Sequence, residues 1–256
     1  MTVTTNPTSF TWSDCATVEE ERLHRKQRLA AAFRIFADHG LDEGLAGHLT
    51  VRDPGEPDKF WVNPFAVPFR RLKVSDLVLV DDQGAVVYGA RSINQSAFAI
   101  HASIHRARGD VDAAAHSHSR FGKAWSSLGR LLEPITQDHC DFYGDLALYD
   151  EFRGRVLDPS EGDAIAAALG SRKALILRNH GLLTVGQSIE EATWWFLRLE
   201  RCCEVTLRAE AAGTPVPVDP AAARQVHGEQ GSPAAGWFTA QPLFEAVIAD
   251  QPDLLD

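Results

Sequence analysis

Basic residues are scarce in this chain: 25 Lys and Arg stand against 35 Asp and Glu, a formal net charge of −10. A field of that sign repels phosphate backbones and anionic lipid, which argues against nucleic acid or a membrane surface as partner. It leaves small anionic substrates open, because a bound cation reverses the local field. Cysteine is scarce as well. Cys15, Cys140, Cys202 and Cys203 contain no C-x-x-C pair, and the adjacent pair would point apart on a helix. That pattern suits neither a disulfide framework nor a zinc ribbon, and the expected location is the reducing cytoplasm. The chain has no run of about 18 apolar residues. Met1 to Ser13 is polar and Thr-rich without an apolar signal segment, so neither a membrane span nor secretion is expected.

What is present is the balance of a globular protein, 45% hydrophobic and 23% charged. The expected organisation is a flexible arm over 1–16, one domain over 17–213, and a linker with a packed extension over 214–256. Thr17-Val18-Glu19-Glu20 is a capping box opening a helix that Gly40 stops. Strands are expected at His48 to Val51, Lys59 to Val62, Leu77 to Val80 and Ala85 to Tyr88. A second capping box, Ser92 to Gln95, should open a helix running to about Ala107. Val111 to Ala115 reads as a buried strand that delivers His116-Ser117-His118, followed by a helix near Gly122 to Leu128. Leu146 to Tyr149 and Lys173 to Leu177 read as strands, the second ending at Asn179-His180-Gly181. Leu182 to Val185 continues extended, and Ser188 caps a long helix to about Ala212. The irregular alternation gives an α/β fold with a mixed sheet layered by helices.

On a strand, residues i and i+2 share a face, so His116 and His118 can reach one ion. Imidazole suits zinc, iron and manganese. His180 also follows a strand, at a junction where Gly181 permits close backbone approach. Three histidines leave coordination positions open for substrate.

The run Ile93-Asn94-Gln95-Ser96-Ala97-Phe98 to His101, then Asp110-Val111 to His116-Ser117-His118, and later Asn179-His180-Gly181-Leu182-Leu183, resembles the class II aldolase/adducin family. Gly47-His48-Leu49-Thr50 and Asn63-Pro64 fit its earlier loops. The resemblance covers about residues 20–212. It implies a three-layer α/β/α fold with a mixed, largely antiparallel central sheet. It also implies a homo-oligomer, commonly a tetramer with sites at subunit interfaces, and His116, His118 and His180 as ligands of one divalent metal ion per subunit: iron, manganese or zinc.

The chain departs from the sugar-phosphate aldolases it resembles. They carry Ser-Ser-Glu where it has Gln95-Ser96-Ala97, and Ala97 cannot move a proton as their glutamate does. Asn63-Pro64-Phe65-Ala66 lacks the hydroxyl and glycine of their phosphate loop. Their tyrosine acid falls near Gln137 or Asp138. The chemistry expected is therefore carbon–carbon cleavage of the decarboxylase kind on a 2-oxo, 2-hydroxy or aromatic acid. Two alternatives stand beside it: an Fe(II)-dependent oxygenase using the same histidines, as in relatives of the aminocoumarin pathways, and a non-catalytic adducin-like interaction module.

His48, Asn63, Phe65 and Gln95 are candidate substrate contacts. His48 reads equally as a strand-edge residue, and Gln95 equally as part of its capping box. Phe65, Phe69, Trp61 and Phe142 are expected near the mouth, favouring an aromatic substrate. Asp138 and Tyr143 are candidate acid–base groups, supplied by a neighbouring subunit or else ordinary loop residues. His101 and His105, one helical turn apart, read as core or interface histidines rather than ligands.

Overall fold

The computed structural model describes residues 13–154 and 159–256. Most of the expected arm, residues 1–12, lies outside the described residues, as do the side chains of Gln95 to Ala97.

Helix α1 (Val18–Asp38) opens on the capping box, with Thr17 accepting from the Glu20 amide and Glu20 reaching back to the cap. Four strands follow: β1 (His48–Arg52), β2 (Phe60–Val62), β3 (Val78–Val80) and β4 (Val86–Tyr88). Helix α2 (Gln95–Ala107) leads into β5 (Ala113–Ser117), α3 (Arg120–Ser126) and β6 (Leu146–Tyr149). Then come α4 (Pro159–Leu169), β7 (Ala174–Leu177), β8 (Gly181–Gly186) and α5 (Ile189–Ala212). The extension folds as α6 (Pro220–Gln230) and α7 (Pro233–Asp250).

The eight strands form one sheet in the order β4-β3-β2-β1-β5-β8-β7-β6. The β6–β7 pair is parallel and the other pairs are antiparallel, the mixed, largely antiparallel sheet expected. Strand alternation splits the core. Leu49, Val51, Ala113 and Ala115 face α1, α5 and α7, burying Phe33, Phe36, Trp195, Phe196 and Phe244. Ala114, Leu183 and Val185 face the opposite way, packed with Ile100 and Ile104 of α2 and Ile165 and Leu169 of α4. Helices therefore cover both faces, a three-layer α/β/α arrangement.

Helix α2 starts later than the capping box at Ser92 predicts. The Ser92 carbonyl accepts the Phe65 amide at 2.7 Å, which ties residue 92 to the loop after β2. The cap position falls to Asn94, whose carbonyl takes the Phe98 amide at 3.0 Å.

Candidate metal centre

Strand β5 presents His116 near its end and His118 just beyond it. Its antiparallel neighbour β8 begins at Gly181, so His180 stands immediately before that strand. The register pairs His116 with Leu183 and Ser117 with Leu182. The end of one strand and the start of the other therefore bring the three rings together across the sheet. Close approach at this corner requires glycine: a Cβ on Gly181 would lie 2.9 Å from the Ser117 carbonyl oxygen. Asn179 carries φ of 59°, a left-handed conformation that asparagine tolerates better than most residues.

The ring centroids are 4.8 Å apart for His116–His180, 4.7 Å for His118–His180 and 5.2 Å for His116–His118. His118 Nε2 lies 2.9 Å from His180 Nε2. Two nitrogens bound at right angles to one ion, each at about 2.1 Å, would stand about 3.0 Å apart. Among the described residues these three form the one group of His, Cys, Asp or Glu placed to share an ion, with donor atoms within 4.8 Å of one another. That span slightly exceeds two bonds of about 2.1 Å, so closure on an ion needs only a small ring rotation.

The rings are also in the right chemical state. His116 Nδ1 lies 2.7 Å from the Leu182 carbonyl oxygen, so it carries the proton and donates, leaving Nε2 bare. Burial pushes His180 down to about 4, with His118 adding to the effect. Burial likewise drives His116 well below its ordinary range and lowers His118, the latter helped by the Lys123 charge. Neutral imidazoles with free lone pairs are what a divalent cation takes. The donor set therefore fits the metal that the sequence suggests.

A cavity of about 510 Å³ opens at the histidines, and its wall includes Leu45, His48, Asn94, Lys123 and Phe152. His48 is paired with His116 in the β1–β5 register, and the two rings are 5.1 Å apart. Lys123, on α3, forms an ion pair with the exposed Glu43.

The other sequence candidates scatter. Asn63 follows β2 and its buried Oδ1 has no hydrogen-bond partner, but it does not line this cavity. Phe65 is 41% exposed and also lies off the cavity wall. Gln95 opens α2, and its side chain lies outside the described residues.

The expected aromatic mouth is corrected. Trp61 and Phe142 are buried in the main core, and Phe69 packs edge-on against Phe33 at 4.7 Å. The apolar wall comes instead from Leu45 and Phe152. Within this chain Asp138 and Tyr143 do not reach the cavity. Asp138 pairs with Arg198 at 2.7 Å, and the Tyr143 hydroxyl accepts from Arg224 at 3.4 Å. Sequence reasoning missed Lys123, although its place one turn and a half beyond His118 on a short helix was a usable signal.

Residues 27–207 match the model of the Class II Aldolase and Adducin N-terminal domain. The chain is 46% identical over 240 residues to Decarboxylase NovR of Streptomyces niveus, covering 93% of this chain and 89% of that protein. It is also 46% identical over 240 residues to the 4-hydroxy-3-prenylphenylpyruvate oxygenase/4-hydroxy-3-prenylbenzoate synthase of Streptomyces roseochromogenus subsp. oscitans, covering 93% and 87%. Among solved structures, L-fuculose 1-phosphate aldolase from Glaciozyma antarctica PI12 superposes with a TM-score of 0.89 at 47% identity, covering 95% of this chain and 96% of that one. The three-histidine corner, the mixed sheet and these matches together establish that the chain belongs to the class II aldolase and adducin family.

Proposed function

We propose that this protein is a divalent-metal-dependent enzyme that breaks a carbon–carbon bond in a 2-oxo, 2-hydroxy or aromatic acid, of the decarboxylase kind, with His116, His118 and His180 as ligands. The observation that carries the reading is the convergence of three neutral imidazoles on a cavity that also offers an ammonium group. A cation bound there supplies Lewis acidity toward a carboxylate and its neighbouring carbonyl.

The chain's own residues supply the rest. Lys123, paired with Glu43 in the free protein, offers its charge to an anionic group of the substrate. His48 sets a polar ring beside the ligand histidines, while Leu45 and Phe152 give the wall an apolar surface suited to an aromatic body. Ala97 leaves no carboxyl group at its position to remove a carbon-bound proton, and loss of CO₂ needs none removed first. Asp138 and Tyr143 enter as acid–base groups only from a second copy of the chain, consistent with a homo-oligomer, a tetramer on this reading. A cytoplasmic site of action completes it.

The relatives named decarboxylase and oxygenase support this choice, while the structural relative named an aldolase supports a different bond cleavage. The test is CO₂ release from 4-hydroxyphenylpyruvate under nitrogen by protein purified without oxygen and loaded in turn with Fe(II), Mn(II) and Zn(II). Release with at least one metal is expected, with no cleavage of L-fuculose 1-phosphate. Silence with every metal, or efficient aldol cleavage, overturns the reading. A second reading, an Fe(II) oxygenase, is favoured by the name of one 46% identical relative and by the open positions a three-histidine set leaves. It requires iron-specific oxygen uptake in step with substrate loss.

A further inference from the structure

The geometry points to His101 as a positioning residue for the cavity: a hydrogen-bond chain of one direction locks its ring, and that ring holds His48 against His116. The cavity's role as the reaction site rests on the function proposed above; the direction of the chain does not.

Two periodicities build the chain. His48 and Thr50 share a face of β1, and His101 and His105 share a face of α2. Two strand residues rise about 6.7 Å and four helical residues about 6 Å, so the two rows stay in step. Thr50 Oγ1 sits 2.8 Å from His101 Nδ1 and 2.8 Å from His105 Nε2. The His101 and His48 ring centroids are 4.0 Å apart, and His48 is 5.1 Å from the metal-ligand candidate His116.

The direction follows from one carbonyl. Val111 O can only accept, and it also takes Arg52 Nη2 at 2.9 Å. His105 Nδ1, 3.3 Å from that oxygen, therefore carries the proton. A neutral imidazole has one N–H, so His105 Nε2 accepts. The Thr50 hydroxyl gives its single hydrogen to His105 and must accept from His101 Nδ1–H. His101 Nε2 is left bare, and it is buried with no hydrogen-bond partner. Burial keeps the rings neutral, pushing His105 down to about 3 and His101 well below its ordinary range. The chain ends on the carbonyl of Val111, a residue 1% exposed, so it conducts no proton to solvent. What it does is fix one ring and one tautomer against His48, 4.0 Å away between ring centroids.

The first test is long-range ¹⁵N–¹H NMR of histidine-labelled protein, metal-free, at pH 7. His101 and His105 should both appear as Nδ1–H tautomers, and Thr50→Val should turn His101 into a tautomer mixture. A wild-type His101 with its proton on Nε2 overturns the proposal. The second test follows 4-hydroxyphenylpyruvate binding to the Co(II)-loaded protein by the cobalt visible spectrum. Thr50→Val should weaken binding about tenfold, the scale seen for groups that orient metal ligands. Cobalt affinity should hold within about twofold, and Thr50→Ser should restore binding. His101→Asn, which keeps an N–H toward Thr50, should fall between and serves should Thr50→Val fail to fold. Wild-type binding in both Thr50→Val and His101→Asn overturns the positioning role. A wild-type protein that binds no 4-hydroxyphenylpyruvate counts against the substrate reading alone, and the NMR result then decides the proposal.

Discussion

Single side chains at the β5–β8 corner decide whether a cation can be held. Gly181 is the tightest of them, with the Ser117 carbonyl where a Cβ would go. Gly181→Ala should force the two strands apart at the histidines. The expected cost is about 1–3 kcal/mol of stability, the range for overpacking. Zinc affinity should fall further than stability does, because the displaced backbone carries His180. Urea midpoints and a competitive zinc titration on the same variant measure both, and unchanged zinc affinity would show that the corner tolerates a methyl group.

At this scale the meeting of His116, His118 and His180 was legible in the sequence, because period-two alternation puts His116 and His118 on one face and a strand end precedes His180. Lining residues were less legible. Trp61 and Phe142 look like a mouth in sequence but satisfy the main core, while Leu45 and Phe152 reach the cavity from loops whose paths no local pattern dictates.

Elements hold the cavity wall through contacts distant in sequence. Glu200 of α5 accepts the Phe121 amide at 2.8 Å and the Gly122 amide at 2.7 Å, and also takes the Ser119 hydroxyl. A carboxylate from one helix thus satisfies amides at the start of α3 that have no partner within that helix, which carries Lys123. Glu200→Gln should remove about 1–3 kcal/mol, the range for a buried charged hydrogen-bond partner lost. Hydrogen exchange at Phe121 and Gly122 should speed up well beyond the global change in stability. Exchange that rises only in proportion to global stability would show α3 needs no such support. The start of α3 illustrates why element boundaries resist reading: its cap lies 78 to 81 residues away. The extension is a similar case. It reads as a linker with a packed extension whose elements the sequence leaves unassigned; Asp219 and Ser232 cap two helices there, and α7 contains Pro242 within it. The broad α/β layering was readable because it depends on apolar periodicity repeated in every segment.

Across the whole molecule, buried ionisable groups set the response to acid. His105 is pushed down to about 3, and the metal-free His180 to about 4. Their ordinary value is about 6.5, so below it the unfolded chain binds protons that the folded chain refuses. Their contribution is complete above about pH 6.5 and is lost as pH falls toward those values. Glu191 acts oppositely. Burial raises it to about 7, so its contribution is complete below about 4.5 and fades as pH rises toward 7. With several histidines against one glutamate, metal-free protein should lose stability as pH falls from 6.5, more steeply below 4.5. Each unopposed group contributes at most about 1.4 kcal/mol per pH unit. Urea midpoints in chelator at pH 7.5, 5.5 and 4.2 check this, and a flat series contradicts it.

His118 and His180, whose Nε2 atoms lie 2.9 Å apart, stand 62 residues apart along the chain. Their meeting depends on β5 and β8 having found one another, a non-local event that comes late when loop closure is slow. Of the three corner histidines, only His116 and His118 stay close together in the unfolded polypeptide, so the full set forms only once the strands pair. Uptake of a transition metal during refolding is therefore a stopwatch for that last strand docking.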